Sequence, residues 1–297
     1  MTVWFGRKTK GEKSMIRLCA FSDEYGNSLQ EQITGLLANG IKLMEIRNVD
    51  GVNIADMDEQ TAQDYYNRLT DAGIAVWSIG SPLGKVDLDC DFEAYKQKIH
   101  HVCKLANIFC CSRIRMFSFF KAYDNPEKVY AYLREMAEIG KQYGVLMCHE
   151  NEKDIFGDTV ERTLLIRQNV PELGFIYDPA NYLQCGQDCR QTLELLFDGT
   201  NYFHIKDVDV KTQALVPAGY GDGAIPEMIE RITEDTVLTI EPHLAVFSGY
   251  AAIDNTEMVH KFHFPDNPTA FGAAVDAMKK ILADHGYVLC GDGYVKQ

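Results

Sequence analysis

The chain has 297 residues, 46% of them hydrophobic and 24% charged, a globular balance long enough to build a core without disulfide staples. Its 43 acidic against 29 basic residues leave a net charge of −14, which argues against nucleic-acid backbones and anionic membranes as partners. The nine cysteines include no CxxC pair and no apolar run approaches the roughly 18 residues of a membrane span, so a reduced, cytoplasmic protein is expected.

Residues 1–14, MTVWFGRKTKGEKS, are polar and basic and lack the apolar core of a secretory signal. They are expected as a disordered extension ahead of one domain over 15–297. "IRLCAF" (16–21) predicts a first strand. "SLQEQITGLLANG" (28–40) predicts a helix, with Leu29, Ile33, Leu36 and Leu37 at helical spacing and Gly40 at its end. The alternation then repeats. Strands are predicted at 41–47, 74–80, 112–118, 145–150, 173–178, 201–207 and 236–243, and helices at 58–73, 91–107, 125–144, 158–169, 188–199, 224–233 and 267–286. Asp91 and Asn125 stand as N-caps, with Pro126 at the first helical position. Eight strands alternating with eight helices predict a (β/α)₈ TIM barrel in a single domain. A doubly wound open sheet is the second choice, but no GxGxxG or Walker sequence follows the first strand.

In such a barrel, chemistry sits at the C-terminal ends of the strands. Strands five to eight end in Glu150 ("CHEN"), Asp178 ("IYDPAN"), His204 ("FHIKD") and Glu241 ("TIEPH"), at intervals of 28, 26 and 37 residues. Each interval is one βα unit, so the four are expected to converge. Two Glu, one Asp and one His suit one divalent cation, Mn²⁺ foremost, with Mg²⁺, Co²⁺ or Zn²⁺ also acceptable. Lys206 shares a strand face with His204 and can meet a substrate oxygen. Arg47, Arg115, Lys85 and Asn181 are further strand-end candidates for substrate binding, and Ser81 lies nearby in "GSPLGK". Arg113 is expected in a helix-facing salt bridge. His149 should point away from Glu150 unless a bulge reverses it, whereas His243 shares Glu241's face and is a substrate or supporting group. The stretch from Leu244 to Asp266, with His260 and His263, is long enough to serve as a lid.

The runs Glu150-Asn151, Asp178-Pro179-Ala180-Asn181, His204-Ile205-Lys206-Asp207, "GYGDG" (219–223) and Glu241-Pro242-His243 together resemble the xylose-isomerase-like sugar phosphate isomerase/epimerase family. The resemblance covers the chain from Met15 onward. It implies a barrel holding one divalent ion through Glu150, Asp178, His204 and Glu241, with the two glutamates also moving a proton. The implied reaction is isomerisation or epimerisation of a ketose or related keto-sugar, by proton removal alpha to a carbonyl through a metal-bound enediolate. Relatives of this fold also act as lyases on keto-inositols or 3-oxo-glycosides, some with a partner subunit, and the four ligands do not separate these reactions. The AP endonucleases of the same superfamily need more strand-end histidines and a basic face, neither of which this chain offers. A sugar-binding barrel without chemistry is the non-enzymatic reading. The expected partner is a small sugar; a homo-oligomer is compatible with every reading.

Overall fold

The computed structural model describes residues 14–244, 259–260 and 262–297. Eight parallel strands form a closed barrel: β1 (Met15–Ala20), β2 (Leu43–Ile46), β3 (Ala75–Ile79), β4 (Arg113–Met116), β5 (Leu146–Glu150), β6 (Gly174–Tyr177), β7 (Tyr202–Ile205) and β8 (Thr236–Ile240). Closure is made by β1 against β8, from Ile16↔Thr236 to Ala20↔Ile240, while β1 also pairs with β2 at Cys19↔Leu43. That pairing rules out the open sheet.

Helices α1 (Leu29–Ala38), α2 (Glu59–Asp71), α3 (Phe92–Ile108), α4 (Pro126–Gln142) and α5 (Val160–Asn169) alternate with β1 to β6. They are followed by α6 (Pro179–Gln184), α7 (Cys189–Leu196), α8 (Ile225–Arg231) and α9 (Asn267–Asp284). Local chemistry starts them: Ser28 and Glu31 form a capping box on α1, and Asp91 and Asn125 accept from Ala94 N–H and Lys128 N–H. In α4, Val129, Tyr130, Leu133, Met136, Ala137 and Gly140 recur every three or four residues and form its buried stripe.

Three features departed from the sequence pattern. The short helix α6 follows β6 directly, capped by Asp178. A C-terminal hairpin of β9 (Tyr287–Cys290) and β10 (Gly293–Lys296) joins the sheet antiparallel to β1, through Met15↔Val295 and Ile16↔Tyr294. Its two-residue turn, Gly291-Asp292, is a recognisable hairpin signal that the helix-strand alternation overshadowed. Arg113 makes no salt bridge among the described residues. Its guanidinium lies 3.9 Å from the Trp77 ring centroid, because Arg113 is two residues before inward-facing Arg115 and shares its face. Residues 1–13 and most of the expected lid lie outside the described residues; His263 is described and exposed.

The barrel interior changes character along its axis. An apolar layer holds Cys19, Leu43, Trp77, Cys148, Ile176, Tyr202 and Val237. Toward the C-terminal strand ends, the same inward faces carry Glu45, Arg115, Glu150, Asp178, His204, Thr239 and Glu241, all buried. A floor of apolar packing therefore supports a buried polar site.

Candidate metal centre

Glu150 is the last residue of β5, Asp178 follows β6, His204 is the penultimate residue of β7, and Glu241 follows β8. Registers Glu150↔Ile176, Ile176↔Tyr202 and Thr239↔His204 keep these residues on inward-facing positions, so side chains from four neighbouring strands meet. One ligand atom from each lies within 4.8 Å of the others, and all four residues are buried. His204 Nδ1 stands 2.8 Å from Glu150 Oε1 and 3.1 Å from Glu241 Oε2.

The hydrogen-bond inventory tests whether this set fits a cation. Among the described residues, Glu150 Oε2, Asp178 Oδ2 and Glu241 Oε2 are buried and make no hydrogen bond. Each has a basic group nearby, Arg115 at 3.3 Å, Lys206 at 2.9 Å and His204 at 3.1 Å respectively, but none in hydrogen-bonding alignment. Buried carboxylate oxygens held only by ion pairs of poor hydrogen-bond alignment keep lone pairs unsatisfied, which is costly unless something else binds them. Three of them converging beside an imidazole have the composition and geometry to bind a metal ion.

Electrostatics agree. Burial pushes the Asp178 carboxyl up to about 7, against the pull of the Lys206 ammonium. Burial also acts against charge on His204, but Glu150 and Glu45 outweigh it and hold the imidazole well above its ordinary range. Burial raises the Glu241 carboxyl, yet Lys206 and His204 hold it well below the usual range. Asp178 and His204 are thus both drawn toward their protonated forms, and those protons are ones a divalent cation would displace.

The surrounding residues divide into those facing the site and those holding it. Lys206 pairs with Asp178, and Lys85 pairs with Glu152 at 2.9 Å while lying over the Phe117 ring. Arg115 lies between the Phe21 and Phe117 rings and reaches Glu150 and Glu241, and its Nε has no hydrogen-bond partner among the described residues. Lys206 and Arg115 thus touch the cluster itself, through Asp178, Glu150 and Glu241. Arg47 is committed to the protein: it makes a two-bond fork to Asp23, each bond 2.9 Å, and reaches Glu241 Oε1 at 2.8 Å and Glu24 at 3.4 Å. Burial pushes the Glu24 carboxyl up to about 8 even beside that guanidinium. His243 Nε2 lies 3.3 Å from Glu241 Oε1 and 3.2 Å from Glu24, and burial lowers its pKa to about 4. Asn181 Nδ2 donates to the Asn151 carbonyl, while the Asn151 side chain clasps Asp178 N–H and C=O. The two asparagines lock the ends of β5 and β6 together.

His149 follows the regular strand. It points away from Glu150, lies 2.9 Å from Ser118 Oγ, and is pushed down to about 3 by burial. Ser81 Oγ donates to the Arg115 carbonyl and shapes the turn after β3. The "GYGDG" run is held by Asp207, whose carboxylate accepts from the N–H groups of Val208, Gly219, Gly221 and Gly223 at 2.8–3.1 Å. A Cβ on Gly221 would stand 2.4 Å from Asp207 Oδ1, which is why glycine is needed there.

Sequence reasoning missed Glu45, Asp23, Glu24 and Glu152. Glu45 lies mid-strand in "KLMEIR", and its signal was a lone carboxylate in a buried run. Asp23 and Glu24 sit in a 3₁₀ turn after β1, at a strand end that carried no other chemical residue.

The xylose isomerase-like TIM barrel family model matches residues 36–281, and the chain belongs to that family. Comparison with curated protein sequences finds no match. Among solved structures, an L-ribulose 3-epimerase is 18% identical, with 91% of this chain and 95% of that chain covered at a TM-score of 0.69. A probable 3-DHS dehydratase of petrobactin synthesis from Bacillus anthracis is also 18% identical, with coverage of 90% and 98% and a TM-score of 0.67. The IOLI protein, whose structure holds a zinc atom, is 13% identical, with coverage of 90% and 98% and a TM-score of 0.68. At these identities the likeness shows the shared barrel; the chemistry of this chain rests on its own residues.

Proposed function

We propose that this protein is a divalent-metal-dependent isomerase or epimerase of a ketose or related keto-sugar, working by proton removal alpha to a carbonyl. The observation that carries the reading is the trio of buried, unbonded oxygens on Glu150, Asp178 and Glu241 beside His204 Nδ1. These four residues would hold the ion, with Mn²⁺ preferred by the oxygen-rich set and Zn²⁺ compatible. When bound, the ion supplies positive charge against the oxyanion that develops on proton removal.

Glu150 and Glu241 come from the outer two of the four contributing strands and flank the cluster. One takes the proton from one side of the substrate carbon while the other returns it on the opposite side. Glu241 Oε1 is fixed by Arg47, leaving Oε2 for the site. Lys206 and Arg115 supply cationic hydrogen-bond donors for substrate oxygens. Burial of the whole constellation excludes bulk water, which strengthens each of these interactions.

A lyase reading shares the first step, since elimination of water also begins with an α-proton. The dehydratase among the structural neighbours supports keeping it as the alternative. The test is incubation of the Mn²⁺-loaded protein with a panel of ketoses and keto-inositols in D₂O, followed by NMR. Deuterium at the carbon next to the carbonyl, with an epimer or aldose as product, supports isomerisation; an unsaturated product moves the assignment to the lyase. No exchange with any substrate, together with no metal in the purified protein and no uptake of Mn²⁺, sinks the proposal. Glu150→Gln and Glu241→Gln should each slow exchange by about 10²–10⁴-fold.

A further inference from the structure

Beside the cluster, Glu45 is fully buried at the penultimate position of β2, on the side of His204 opposite Glu150 and Glu241. Its Oε2 lies 3.1 Å from His204 Nε2 and accepts from Thr239 Oγ1 at 3.0 Å. Its Oε1 accepts from the Tyr202 hydroxyl at 3.0 Å, and that hydroxyl lies 3.0 Å from Ser78 Oγ. An ionised carboxylate can only accept, so the ring atom facing it must be an N–H. By the same rule Nδ1, 2.8 Å from Glu150 Oε1, carries a proton when no cation is bound; a cation at Nδ1 would displace that proton and leave the one that Glu45 holds on Nε2. Nδ1 is the ring atom that faces Glu150 and Glu241. Phe21 and Tyr202 meet the imidazole with ring centroids at 5.3 and 5.6 Å, both edge-on, which limits its tilt.

We infer that Glu45 is a positioning residue for the metal centre: it fixes the tautomer and plane of His204 so that Nδ1 is presented as a ligand. The inference rests on the metal-dependent reading given above and extends it to a residue outside the ligand set. Burying a carboxylate in the barrel interior costs several kcal/mol even when paired, and an apolar residue would serve packing better. A carboxylate on the far nitrogen also makes the near nitrogen a stronger donor to a cation. Thr239, Tyr202 and Ser78 hold Glu45 in turn, so one hydrogen-bonded chain links β3, β7 and β8 to a single imidazole.

The test is Mn²⁺ affinity by competition with a chromogenic chelator, for the wild-type chain, Glu45→Gln and Tyr202→Phe, with circular dichroism as the control for folding. Glu45→Gln keeps the shape and loses the charge, and should weaken Mn²⁺ binding by about 10–100-fold. Tyr202→Phe keeps the charge and frees one carboxylate oxygen, and should weaken binding several-fold; it decides the matter if Glu45→Gln does not fold. In the zinc-loaded protein, ¹⁵N NMR of His204 should show a protonated Nε2 in the wild type and loss of that single tautomer in Glu45→Gln. Wild-type affinity retained within about threefold in both folded variants overturns the role of Glu45 alone. A wild-type chain that binds no Mn²⁺ overturns the metal-dependent function and this inference with it.

Discussion

Replacing Asp207 with asparagine tests how the glycine-rich turn is held beside the site. The Asp207 carboxylate takes two backbone N–H groups on each oxygen, Val208 and Gly223 on Oδ1, Gly219 and Gly221 on Oδ2. An amide has one accepting oxygen and one donating NH₂. Whichever way it turns, two backbone N–H groups face another donor. Each buried, unsatisfied group costs about 1–3 kcal/mol, so Asp207→Asn should destabilise by about 4 kcal/mol. At about 2–4 °C per kcal/mol for a large domain, the melting temperature should fall by roughly 8–16 °C. Hydrogen exchange should rise first at the amides of Gly219, Gly221 and Gly223. Gly221→Ala attacks the same cradle from the other side, because its Cβ would stand 2.4 Å from Asp207 Oδ1 and 2.5 Å from the Val208 carbonyl. The double variant should therefore cost less than the sum of the two. A loss under about 1 kcal/mol in Asp207→Asn, or strict additivity in the double variant, would refute the cradle as the loop's anchor.

Three further outcomes are expected. His149 is held neutral by burial, with its pKa lowered to about 3, so its contribution is complete above about 6.5 and is lost as pH falls below that value. Between pH 7 and 5 this one group should cost about 2 kcal/mol, and His149→Asn should flatten that part of the pH dependence in urea melts; an unchanged slope would contradict it. Mn²⁺ at about a hundred times its dissociation constant should stabilise the wild type by about 2.7 kcal/mol and raise its melting temperature, with EDTA reversing the shift. The same shift persisting undiminished in Glu241→Gln would place the ion elsewhere. Asp91→Ala removes an exposed N-cap that touches none of the cluster residues and should cost about 1 kcal/mol with Mn²⁺ affinity unaltered, as measured by denaturation and chelator competition.

Much of the architecture was written in local pattern. The spacing of Leu29, Ile33 and Leu36, the Ser28 cap and Gly40 delimit α1, and similar signals delimit most of the other helices, because helix ends and buried stripes are decided within a few residues. Eight such units leave few topologies, and the closed barrel followed. The positions of Glu150, Asp178, His204 and Glu241 at the ends of β5 to β8 were also readable, since a strand end is a local event and the barrel fixes where ends meet.

Tertiary packing decided the rest. Nothing near residue 45 in sequence indicates His204, because the two are 159 residues apart and meet only through barrel closure. Arg47 reads as a strand-end cation open to substrate, yet Asp23, Glu24 and Glu241, brought to it by β1 and β8, use its donors. Asn181 likewise serves Asn151 across a strand boundary. Sequence by itself determined which residues could do chemistry and at which end of the barrel they lie. Only the closed sheet decided which charges pair and which carboxylate oxygens stay unbonded, because pairing of buried groups depends on distances across the barrel.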